Sequence, residues 1–75
     1  MDLKTYLKTL NPDGREVFAR RCGTSAGHLR NIAYGKVCGE KLAVDIERES
    51  GRRVICETLR PDVDWQFLRQ TPRAA

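Results

Sequence analysis

The sequence contains few of the residues from which metal sites, membrane spans and secretion signals are built. His28 is the only histidine, and the three cysteines are widely spaced without a CxxC pair, so no structural zinc site is expected. No apolar run is longer than three residues, as in Val54–Cys56, whereas a membrane span needs about 20. Residues 1–4 form no secretory signal. We therefore expect a cytoplasmic protein without cofactor, metal or membrane partner.

The length and the charge of the chain limit its function. The chain has 75 residues, 40% of them apolar, which suits one small module rather than a catalytic cleft with walls of its own. The net charge is +4, and it is localised: residues 15–36 hold five basic residues and one acidic residue, and the remainder holds nine of each. A localised basic face indicates a polyanion as partner, most often a nucleic acid. By composition alone, a solvated basic surface fits equally well.

The first 22 residues show the periodicity of two helices. Asp2 can cap a first helix, whose apolar residues follow an i, i+3, i+4, i+7 pattern. A second helix begins near Pro12, a residue that the first helical position accepts, and Gly23 ends it where a left-handed backbone is needed. The residues expected on one apolar face of this second helix are Val17, Phe18 and Cys22.

The rest of the chain predicts two or three more helices. Ser25 is a suitable N-cap for a third helix that ends near Tyr34, and a fourth helix covers about residues 39–50. Residues 52–56 look extended because Val54 and Ile55 are β-branched. A helical turn is expected at residues 58–59, and residues 62–70 are ambiguous. The predicted fold class is therefore all-α, with four or five short helices.

The second and third helices, joined by a three-residue turn that contains a glycine, describe a helix-turn-helix. A small residue at Ala19 allows the next helix to cross closely, and Gly23 permits the backbone reversal. A small residue, a glycine four positions later and apolar residues six and nine positions beyond that glycine are the signature of the Cro/C1-type repressors. The stretch from Arg15 to Lys36 resembles that family, and the matching positions are Ala19, Gly23, Leu29 and Ile32.

The wider pattern is most similar to the YdaS-type Cro-like antitoxins. This resemblance adds residues 1–7, the helix end at residues 33–35 and the segment Leu59–Trp65, so that it covers about residues 1–65. It implies a lambda-repressor-like DNA-binding domain. We accordingly expect a helix-turn-helix DNA-binding domain at residues 1–65 and a C-terminal tail at residues 66–75.

In helix-turn-helix proteins the second helix of the motif enters the major groove and the first crosses the backbone. Arg30 and Asn31 are the best candidates for contacts with base edges, because arginine can bind guanine O6 and N7 and asparagine can bind adenine N6 and N7. Ala26 and Gly27 would allow close approach to the groove, with Ala26 touching a thymine methyl. The alternative is that Arg30 and Asn31 are only exposed helix residues.

Several polar residues around the third helix are candidate phosphate contacts. Ser25 and the helix N-terminus offer backbone N–H groups, and Arg15 and Lys36 are expected to bind phosphates as cations. Tyr34 either reaches a phosphate through its hydroxyl or covers the edge of the core. His28 has no second histidine and no nucleophile–base pair beside it, so a phosphate or solvent contact is expected and catalysis is not. The chain is predicted not to be an enzyme.

These observations predict a sequence-specific transcriptional repressor that occupies a palindromic operator in double-stranded DNA as a homodimer, weakly paired without DNA. Two alternatives are an antitoxin that binds a toxin and autoregulates its operon, and a non-specific nucleic-acid-binding module. The apolar patch of the tail either packs back onto the domain or joins two subunits. The residues expected at the dimer interface are Val54, Ile55, Trp65, Phe67 and Leu68.

Overall fold

The computed structural model of the protein describes the backbone of residues 1–70 and the side chains of residues 1–68. This part of the chain contains no strand and is built from α1 (Leu3–Lys8), α2 (Pro12–Arg21), α3 (Ala26–Ala33), α4 (Glu40–Glu49), α5 (Cys56–Leu59) and α6 (Trp65–Gln70). The all-α prediction is confirmed. There are six helices rather than four or five, because the ambiguous segment 62–70 forms α6 across the expected domain boundary. Residues 71–75 of the predicted tail lie outside the described residues.

The first three helices begin at residues whose side chains cap them. The carboxylate of Asp2 accepts the N–H of Thr5 at 2.7 Å, and Ser25 Oγ accepts the N–H of His28 at 3.1 Å, as predicted for α1 and α3. Asn11 caps α2 in the same way. Each cap gives a partner to an N–H group that the helix itself leaves unpaired.

The turn between α2 and α3 depends on Gly23. Its φ of +77° lies in the left-handed region, which costs an L-residue roughly 1–2 kcal/mol. The N–H of Gly23 donates to the carbonyl of Arg20 at 3.0 Å, and the N–H of Thr24 donates to the carbonyl of Ala19 at 2.9 Å. This pair of bonds satisfies the last carbonyls of α2 and reverses the chain, so α2 and α3 form a helix-turn-helix.

One hydrophobic core draws side chains from all six helices. Within it the rings of Tyr6 and Phe18 lie 5.1 Å apart between centroids, which packs α1 against α2. All three cysteines are free and buried, whereas the sequence indicated burial only for Cys22. The buried apolar residues are Leu3, Tyr6, Leu7, Phe18, Ala19, Cys22, Leu29, Ile32, Cys38, Ala43, Ile46, Val54, Cys56 and Trp65.

Val17 lies outside this core. The sequence placed it on the apolar face of α2, but its side chain is 44% exposed. The buried stripe of α2 runs through Phe18, Ala19 and Cys22, and Val17 precedes that stripe on the solvent side.

The segment after α4 corrects the expected strand. Residues 51–54 form turns and bends, and Val54 is fully buried. Its N–H donates to Ser50 Oγ at 3.1 Å, and its carbonyl accepts from the same hydroxyl at 3.4 Å. Neither group is available to a second chain, so the prediction of Val54 as a dimer contact is wrong. Ile55 is half-buried and immediately precedes α5.

Trp65 packs back onto the domain, which was one of the two alternatives for the apolar tail patch. The indole is buried and its Nε1–H donates to the carbonyl of Arg60 at 2.7 Å. Its assignment to a dimer interface is therefore also wrong. Phe67 and Leu68 remain 60% and 42% exposed. None of the helices within residues 1–70 is long and apolar enough to cross a membrane.

Candidate nucleic-acid interface

α3 has one buried face and one exposed face. Leu29 and Ile32 enter the core, and the 3.6-residue period carries positions 26, 27, 30 and 31 to the opposite side. Three of these positions are exposed and Ala26 is half-buried. The structure thus places all four predicted base-contacting residues on one face, namely Ala26, Gly27, Arg30 and Asn31.

A groove of about 530 Å³ lies beside this face, between α3, α1 and the first turns of α2. Its floor is largely apolar and its rim is charged. The lining residues are Lys4, Leu7 and Lys8 of α1, Pro12, Arg15 and Glu16 of α2, and Ala26, Gly27, Arg30, Ala33 and Tyr34 at α3.

The groove is strongly basic. Four cationic side chains line it, and Glu16 is the acidic side chain among the lining residues. Within the described residues, none of these four cations forms an ion pair, whereas all five ion pairs lie between residues 40 and 62. Cations without a carboxylate partner keep their full attraction for an incoming anion. The four cations are Lys4, Lys8, Arg15 and Arg30.

Arg15 connects two sides of the groove. Its Nε donates to the carbonyl of Leu7 at 2.8 Å, and its side chain is half-buried. The same carbonyl also accepts the N–H of Leu10 at 3.1 Å, so the bond from Arg15 adds a second partner and fastens the end of α1 to α2. Arg15 therefore has a structural contact in addition to its place in the groove.

Tyr34 stands at the end of α3 and does not cover the core. Its side chain is 68% exposed, which argues against the core-edge alternative, and the phosphate contact stays a prediction. Lys4 Nζ lies 4.8 Å from the centroid of the Tyr34 ring, a cation–π contact that joins α1 to the end of α3.

The other predicted phosphate contacts surround the groove without lining it. The hydroxyl of Ser25 is used by the α3 cap, and His28 is half-buried outside the lining. Lys36 lines a neighbouring groove of about 590 Å³, which shares Lys4 and Ala33 with the first.

Lys4 and Lys8 are the groove residues that the sequence reasoning missed. They are four positions apart on the polar side of α1, a spacing that is visible in the sequence. Both lie outside the basic window of residues 15–36, on which the prediction of a basic face rests. The packing of α1 beside α3 is a tertiary contact, and the sequence pattern of either helix alone does not predict it.

The three cysteine thiols are buried and contribute no exposed group to the groove. Burial raises the pKa of the Cys22 thiol to about 11, and burial also raises the pKa of Cys38. Across residues 1–68, no group of three or more His, Cys, Asp or Glu side chains is placed to hold a metal ion.

The chain is similar to a protein of Escherichia coli (strain K12) that carries the name "Putative transcriptional regulator YdaS". The two are 35% identical over an alignment 60 residues long, which covers 77% of this chain. The chain spans 60% of the length of that curated relative. No protein-family model matches the chain, and no solved structure matches it significantly.

Proposed function

We propose that this chain is a sequence-specific DNA-binding transcriptional repressor of the Cro-like type, which acts by occupying an operator. The observation that carries the proposal is the exposed face of α3, where Arg30 and Asn31 stand beside a groove lined by four cations without ion pairs. The similarity to a protein named as a transcriptional regulator supports it.

In this proposal α3 enters the major groove of the duplex. A helix with its side chains is about 10–12 Å across, and the major groove is about 12 Å wide. Gly27 has no atom within 4 Å of the position of an added Cβ, so this part of the face is flat and open to the edges of the bases. Arg30 then binds guanine and Asn31 binds adenine, each through two hydrogen bonds.

Phosphates of the backbone would be bound around α3. The first N–H groups of α3 lie outside its hydrogen-bond ladder, and with Ser25 they form a site for one phosphate. Arg15 on the first turn of α2, the hydroxyl of Tyr34 and Lys36 beyond α3 add contacts that fix the register of the protein on the duplex.

Two copies are expected to bind one operator. A single helix-turn-helix reads about one half-site, and symmetric pairs on palindromes place two such helices one turn of DNA apart. With Val54 and Trp65 in the core, Phe67 and Leu68 on α6 are the exposed apolar residues left from the predicted interface.

Selection of binding sites from a pool of random duplexes tests the proposal. We expect one motif with two-fold symmetry. Arg30→Ala should lower affinity for that motif by about 1–3 kcal/mol and relax discrimination at one base pair. Binding of single-base variants of the motif, measured by fluorescence anisotropy, would show this.

Arg53→Ala is a matched control, because Arg53 is exposed and lies outside both grooves. It should bind every site as the unmodified chain does. The proposal is contradicted if the selection recovers no motif, or if Arg30→Ala weakens all sequences equally.

A further inference from the structure

Lys4 and Lys8 form a pair on the solvent side of α1. The opposite side of this helix buries Leu3, Tyr6 and Leu7, and both lysines are exposed and line the α3 groove. Four residues of α-helix rise about 6 Å, so the two ammonium groups follow one another along the rim. Two cations of α1 thus line the same groove as Arg30 of α3.

No ion pair within the described residues neutralises this pair of lysines. The carboxylate of Asp2, beside Lys4, is occupied by the N–H of Thr5 at the α1 cap. Lys4 lies over the ring of Tyr34, which holds the ammonium near α3 without neutralising its charge. Glu16 faces the same groove, but Arg15 and Arg30 face it as well, so the lining retains an excess of three positive charges.

An uncompensated row of cations favours a ligand with repeated negative charge. The phosphodiester backbone supplies charges at regular intervals along a strand, and lysine binds phosphate as a point charge without reading sequence. A single small anion would meet only part of the row.

We infer that α1 is a third DNA-binding element, in which Lys4 and Lys8 bind phosphates of the strand that borders the major groove occupied by α3. This inference rests on the proposed DNA binding and adds to it a pair of residues outside the helix-turn-helix. Their contribution is to affinity and its dependence on salt, and the choice of sequence stays with α3.

The salt dependence of binding tests the inference. The full chain, the double variant Lys4→Gln/Lys8→Gln and the control Lys41→Gln are titrated onto a short duplex of mixed sequence from 50 to 200 mM salt. The logarithm of the binding constant falls with log salt, and each lost phosphate contact reduces the magnitude of this negative slope by about 0.9. The double variant should lose about 1.8, so its defect is on the order of tenfold larger at 50 mM than at 200 mM salt.

The control and a conservative variant separate charge from damage to the fold. Lys41 is exposed and pairs with Asp45 on α4, outside both grooves, so Lys41→Gln should keep the slope of the full chain. Lys4→Arg/Lys8→Arg should also keep it, because the charges remain. Thermal melts should show that every variant is folded, since the substituted side chains are exposed.

The outcomes are distinguishable. A double variant with the slope of the full chain overturns the role of α1 and leaves the DNA binding intact. A full chain that binds duplex DNA without salt dependence, or does not bind it, overturns both. The inference is supported if the salt dependence becomes weaker in the double glutamine variant and stays that of the full chain in Lys41→Gln and in Lys4→Arg/Lys8→Arg.

Discussion

At the scale of single residues, burial changes the acid–base behaviour of Cys22. Its pKa is raised from 9.0 to about 11 because the thiolate would lose its hydration in the core. The unfolded chain therefore releases this proton at lower pH than the folded chain does. The protonated Cys22 thiol contributes to the stability of the fold, and this contribution is fully present below about pH 9. It is lost as the pH rises toward 11, so the free energy of unfolding should fall between these two pH values.

Urea unfolding at a series of pH values measures this fall. Cys22→Ala is the comparison, because it removes the thiol and leaves every other titratable side chain in place. The Cys22→Ala variant is expected to be less stable at neutral pH, because removal of the buried sulfur leaves a cavity. Its free energy of unfolding should fall less steeply between about pH 9 and 11. Parallel curves for the two proteins would show that Cys22 ionises as freely in the fold as outside it.

At the scale of helices, two glycines of the helix-turn-helix should respond to alanine in opposite directions. An added Cβ meets nothing within 4 Å at either Gly23 or Gly27. Gly23 has φ +77°, so Gly23→Ala should lower the free energy of unfolding by about 1–2 kcal/mol through backbone strain alone. Gly27 is the second residue of α3, where Gly27→Ala should raise it by up to about 0.5–1 kcal/mol, the difference found in the middle of helices. Chemical denaturation of both variants measures the two changes.

Each glycine variant is the control for the other, since both add one methyl group to open space. Equal changes of the same sign would mean that the left-handed turn is not what ends α2. If Gly27→Ala is more stable and also binds DNA less tightly, the close approach of α3 to the bases gains support, because a stability defect cannot explain the loss.

Features with a local cause could be predicted from the sequence. The caps Asp2 and Ser25 and the left-handed glycine Gly23 each act within one turn of chain, and the structure has them as expected. The β-branched side chains of Val54 and Ile55 are a local signal that favours a strand. The hydrogen bonds that fix Val54 instead go to Ser50 at the end of the preceding helix, and this contact is not visible in the local pattern.

The candidate site was predictable only in part, for the same reason. Positions on the exposed face of α3 follow from one helix and its period. The opposite rim of the groove belongs to α1, and its position depends on packing and on the bond from Arg15 to the Leu7 carbonyl. Lys4 and Lys8 could not be assigned to the site before that packing was known.

At the scale of the whole molecule, we expect two chains on one palindromic operator. Sedimentation velocity should show a mainly monomeric protein without DNA, because the exposed apolar patch of Phe67 and Leu68 is small. With the duplex at saturation it should show two chains per duplex. Phe67→Ser/Leu68→Ser should weaken the second binding step more than the first.

Val37→Ser serves as the comparison for that pair of changes, because Val37 is an exposed apolar residue that does not belong to α6. It should leave both binding steps unchanged. A complex of one chain with the complete operator at saturation refutes the pairing. Equal effects of the α6 and Val37 variants would remove α6 from the interface.

The separation of unpaired cations from ion pairs gives the molecule an electric dipole moment. Residues 1–39 contain seven basic and three acidic residues and so carry the whole net charge of +4, while residues 40–75 contain seven of each. In the field of a polyanion such a molecule experiences a torque, which turns its first three helices toward the source before contact. Fewer random collisions are then wasted in the wrong orientation, and added salt shortens the distance over which this rotation begins.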